Sequence, residues 1–63
     1  MELRNVEEAI RLGMAYKYKL QALLYLQEAI PAVEEEDYKK HLKMEERRLE
    51  EEIKDLEYQL KML

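Results

Sequence analysis

Glu46 is the residue best placed for chemistry. It interrupts an apolar series, Leu42, Glu46, Leu49, Ile53, Leu56, Leu60 and Leu63, whose steps of three and four residues line one face of an α-helix. A carboxylate on such a face either finds a partner or is pushed toward its neutral form. Three roles are open to it: a structural one, paired with Lys17 or the Tyr16 hydroxyl or placed at the rim of the core, a metal-binding carboxylate facing its symmetry mates inside a bundle, or an acid–base group. No other group in the chain supports the last of these. His41 is the only histidine and the only side chain that titrates near neutrality when unperturbed. It neighbours Leu42 at the edge of the series and reads as a rim or solvent-exposed group. Tyr18 and Tyr25 stand seven residues apart and, with Lys17 and Lys19, form an aromatic-basic group that can stack on nucleic acid or pack against another subunit. The chain has no Ser, Thr or Cys. Hydroxyl and thiol nucleophiles of those kinds, disulfides and thiolate zinc sites are therefore all excluded, and no catalytic site or cofactor is expected.

These residues need two helices to position them. A first 3-4 series runs Val6, Ala9, Gly13, Tyr16, Leu20, Leu23, Gln27, Ile30, and the only proline, Pro31, separates it from the second. Asn5-Val6-Glu7-Glu8 reads as a capping box, with Asn5 and Glu8 each accepting from the other's amide. Pro31 disfavours helix at Ile30 and suits the first turn of a new one, where the acids Glu34 to Asp37 complement the helix dipole. The spacing predicts a helix over about residues 5–30, a turn at about 29–33 and a second helix over about 33–62. Paired antiparallel, these place Leu23 near Leu42, Tyr16 near Leu49, Ala9 near Leu56 and Leu3 near Leu63. Gly13 would then let another helix approach closely. On the outer side of the second helix, Glu35/Lys39, Glu36/Lys40, Glu50/Lys54 and Glu57/Lys61 stand at the favourable i,i+4 spacing.

A lone hairpin of 63 residues closes such seams poorly. Chains this short bury only about 60% of their unfolded surface and usually need a staple, and oligomerisation is the simplest one open here. The first helix carries further apolar residues off its series, Ile10, Met14, Tyr18, Ala22, Tyr25 and Leu26, which call for a second buried contact. The expected fold is therefore all-α: a two-helix antiparallel hairpin that self-associates into a four-helix bundle as a homodimer or homotetramer. Tyr16, Leu20, Leu23, Leu24, Leu49, Ile53 and Leu56 are the expected oligomer interface, with the first helix the more buried of the two. The net charge of −4 lies wholly in residues 31–63, which hold eleven acids and seven bases, whereas residues 1–30 hold four of each. Such a balance disfavours nucleic-acid backbones and anionic membranes. With no signal-peptide pattern or long apolar run, a cytoplasmic location is expected. The 41% of charged residues and the lack of Cys resemble proteins of hyperthermophiles.

The segments Glu7-Glu8-Ala9-Ile10-Arg11-Leu12-Gly13-Met14 and Met44-Glu45-Glu46-Arg47-Arg48-Leu49 resemble the two helices of a rubrerythrin-type ferritin-like hairpin. In that family a carboxylate in the first helix and a Glu-x-x-His on the second hold a di-iron centre. Glu46 matches the glutamate. Leu49 stands at the histidine position and Lys17 at about the first-helix carboxylate, so the resemblance implies a metal-free relative or a shared architecture. The function expected from the residues is a non-enzymatic scaffold or protein-interaction role, with itself and a further protein as partners. A metal-binding bundle using Glu46 and an RNA-binding hairpin dimer are the alternatives.

Overall fold

The computed structural model describes residues 3–63, so Met1 and Glu2 lie outside the described residues. Two α-helices of nearly equal length, α1 (Leu3–Ala29) and α2 (Glu36–Lys61), run antiparallel. A short 3-10 turn, Ile30–Ala32, and the segment 33–35 join them. The result is a rod of 50 × 14 × 11 Å.

The reversal is built around Pro31. Its fixed φ and missing amide suit the start of a helical turn, and here that turn is the 3-10 one rather than α2. The turn closes when the Val33 amide donates to the Ile30 carbonyl at 3.1 Å. Val33 is then extended, with φ −84° and ψ 126°, so the second helix begins at Glu36, about three residues later than its sequence suggests. Glu36 and Asp37 occupy its first turn and Lys61 its last, matching both ends of the helix dipole.

The expected capping box does not form. The described helix already includes Leu3, so Asn5 lies inside α1, and Glu8 instead pairs with Arg11 one turn later. The favourable i,i+4 pairs expected on α2 are likewise replaced. Among the described residues the ion pairs of that helix run from Arg48 to Glu45 at 2.6 Å and to Glu52 at 3.6 Å.

The core is small: Leu12, Leu23 and Ile30 from the first half of the chain and Ile53 and Leu56 of α2 are its buried residues. On α2 the buried and half-buried residues Leu42, Glu46, Leu49, Ile53, Leu56 and Leu60 follow the series read from sequence, while Leu63 is exposed. On α1 the face is turned. Val6 and Gln27, expected inside, are exposed, and Leu12 is the most buried residue of all at 3%. The seam follows Leu12, Tyr16, Lys19, Leu23, Leu26, Ile30, a series as regular as the expected one. Gly13 falls to its flank, and a Cβ there would meet nothing within 4 Å. No close approach of α2 accounts for that glycine.

Candidate functional site

The polar contact that crosses the seam is Lys19–Glu52. Lys19 lies seven residues after Leu12 and four before Leu23, on the same side of α1, and Glu52 precedes the buried Ile53. Both side chains are a little over one-third exposed. The Lys19 hydrogen bond and charge, with help from Arg48, hold the Glu52 carboxyl below its ordinary pKa despite some loss of hydration. Arg48 bridges Glu45 and Glu52, so three acids and bases of α2 and one lysine of α1 form a chain of charge along one edge of the hairpin. A half-exposed network of this kind adds little stability.

Glu46 sits elsewhere. It is half-buried beside this chain, and among the described residues it has no ion-pair partner within 4 Å. Lys17, one of its expected partners, is exposed, and Tyr16 is half-buried with no hydrogen bond from its hydroxyl. The half-buried Glu46 is at the rim of the core, one of the positions expected for it, and the cross-helix pair forms between Lys19 and Glu52 instead. Lys19 lies on the observed seam series, which the structure and not the spacing selects. His41 is exposed. Among the described residues no three His, Asp or Glu side chains converge in a way that could hold a metal ion. At the start of α2 a surface hollow of about 260 Å³ is lined by Glu36, Asp37, Lys39, Lys40 and Lys43, whose mixed charges favour no one class of ligand. Among the described residues no helix is long and apolar enough to cross a membrane.

The outstanding surface of the molecule is apolar. Leu3, Ile10, Met14, Tyr18 and Tyr25 are each more than half exposed, as is Leu24, and Val6 is 37% exposed. All belong to α1. At 3.6 residues per turn the line Leu3–Ile10–Met14 lies roughly 170° around the helix from Leu12 and Leu23. α1 thus has two opposed apolar faces, one closed by α2 and one bare. Of the interface residues expected from sequence, Leu23, Ile53 and Leu56 are buried in the hairpin seam, Tyr16, Leu20 and Leu49 are half-buried beside it, and Leu24 is on the bare side. Leu3 and Val6 extend the bare face toward the start of the helix. Sequence reasoning missed both, because Val6 fitted the inner series and Leu3 had been paired with Leu63.

The elongated shape also leaves the single hairpin with more surface than a compact chain would have. The chain exposes 5358 Å², about 1,000 Å² more than a compact monomer of its 7.7 kDa would. Its radius of gyration is 14.9 Å, against about 10.6 Å for a globular chain of this length. Comparison with known protein families, with curated proteins and with solved structures finds no match to this chain.

Proposed function

We propose that this chain acts as a self-assembling helical scaffold, non-enzymatic, whose working form is a homo-oligomer in which two hairpins combine into a four-helix assembly. The observation that carries this reading is the bare apolar face of α1. Isolated apolar residues are ordinary on a surface. Seven large ones along a single helix, on a strip about 33 Å long, are the mark of an interface. The surface excess of about 1,000 Å² is close to the ~800 Å² that each partner contributes to a standard interface. A second copy brings the same strip, so one contact covers both. The charged outer side of α2 stays in water and offers acidic groups to any further protein partner.

Sedimentation equilibrium at micromolar concentration tests this. The expected result is a mass at least twice that of one chain, with helical content that falls on dilution as the assembly dissociates. A folded, ideal monomer across that range would overturn the proposal.

A further inference from the structure

The self-association just proposed leaves open how the two α1 helices are oriented, and the residues of the bare face decide between the choices. In a parallel, in-register pair every residue meets its own copy. Glu7, Lys17 and Glu28, all exposed and all on or beside this face, would then each oppose a like charge, and the two helix dipoles would align unfavourably. In an antiparallel pair the residues that meet are those whose numbers have a constant sum. A sum of 28 gives Leu3, Val6, Ile10, Met14, Tyr18 and Tyr25 an apolar partner and leaves Leu24 facing the partner's Arg4. Leu3 meets the partner's Tyr25, Ile10 meets the partner's Tyr18, and Val6 comes within one turn of the partner's Leu24. Glu7 meets the partner's Gln21 rather than another acid. Arg11, which this register brings toward the partner's Lys17, has its guanidinium held by Glu8 on the flank of the helix.

We infer that a second copy of this chain packs antiparallel on the bare face of α1, about a two-fold axis that passes beside Met14. Because α2 covers the opposite side of α1, the four helices are stacked in the order α2, α1, α1 of the partner, α2 of the partner. The two apolar helices are inside and the two charged helices outside. Met14, 53% exposed in the single hairpin, is the one large residue of the face that meets its own copy. Contacting helices lie about 8–10 Å apart, which brings Cα atoms on their seam within the about 4.4–6.8 Å that a disulfide spans.

The chain has no cysteine, so the arrangement can be read by cross-linking under mild oxidation. Met14→Cys should form a covalent dimer with itself, on the order of tenfold more than Leu3→Cys or Leu24→Cys alone. A mixture of Leu3→Cys and Tyr25→Cys chains should give the mixed dimer in preference to either homodimer. Circular dichroism of each reduced variant confirms that it keeps its helices, and sedimentation of the unmodified chain runs alongside. Self-cross-linking of Leu3→Cys and Leu24→Cys would overturn the antiparallel orientation while leaving self-association intact. A dimer by sedimentation with no cross-link at any of these positions would move the interface off this face and overturn the inference. A monomer by sedimentation would overturn both the inference and the function on which it rests.

Discussion

α1 and α2 have almost the same length, 27 and 26 residues, yet they solve different problems. α2 is a self-consistent surface helix. Most of its aliphatic residues keep to one side, with Tyr38, Met44 and Tyr58 exposed singly; acids open it, a lysine ends it, and Arg48 ties two of its turns together. Such a helix needs one partner and water. Among the described residues α1 has no acid in its first turn and no base in its last, and its apolar residues occupy two opposite sides. It is a helix with two partners, of which the hairpin supplies one. The difference shows that the packing unit of this chain is larger than its folding topology: the hairpin is closed as a path and open as a core.

The sharpest way to break this contrast is through the seam that both helices share. Leu12→Ala and Leu56→Ala each remove a residue that is less than a tenth exposed. Each should cost about 2–5 kcal/mol, most of the stability of a chain this small, as read by denaturant titration of the helical signal. A loss under ~1 kcal/mol for either would show that the seam is not what holds the helices together.

The next test separates the two outer sides. Ile10→Glu and Met44→Glu place the same charge at similarly exposed apolar positions, 58% and 66%. On α1 the change should weaken association by about tenfold or more, equivalent to ~1.4 kcal/mol. On α2 it should leave the association constant nearly unchanged. Sedimentation of both variants makes the comparison, and equal effects would erase the distinction between the helices.

Smaller effects sharpen the picture. Gly13→Ala adds a methyl group where the hairpin has nothing within 4 Å, so the folded chain should gain about 0.5–1 kcal/mol from the better helix former. A loss, measured by thermal melting, would mean that another backbone lies against this flank. The smallest expected effect belongs to Lys19–Glu52. Glu52 is held below its ordinary pKa by that lysine, so the folded state binds a proton there less readily than the unfolded chain does. The pair's contribution is complete above the ordinary glutamate pKa of about 4.3 and fades as pH falls through the lowered folded value. Glu52→Gln should therefore lower stability slightly in the neutral region, leave it almost unaltered at low pH, and so flatten the acid limb of a stability–pH curve.

How far the sequence could be read follows the same division. The inner side of α2 was legible from Leu42 to Leu60 because the rest of that helix is mostly charged, and Tyr38, Met44 and Tyr58 stand singly and form no second aliphatic series at the 3-4 spacing. On α1 two neighbouring series, one through Gly13 and one through Leu12, have equally good spacing, and no charged side chooses between them. The tertiary contact chose the second. The start of α2 was misplaced because Pro31 is compatible with the first turn of either an α-helix or a 3-10 helix, and the extended Val33 has no local signature. Glu46 drew attention as a carboxylate on an apolar face. Which glutamate a lysine reaches, however, depends on how far one helix is displaced along the other, and periodicity carries no such information.

The shape of the hairpin has a practical consequence. A body 50 Å long and 14 Å across drags more solvent than a sphere of the same mass, and its Stokes radius is correspondingly inflated. On a gel-filtration column a single hairpin will elute early, in the place of a heavier globular protein, while pairing side by side thickens the particle without lengthening it much. Elution volume therefore responds weakly to the change that matters most, and light scattering at the peak is the observable that counts chains.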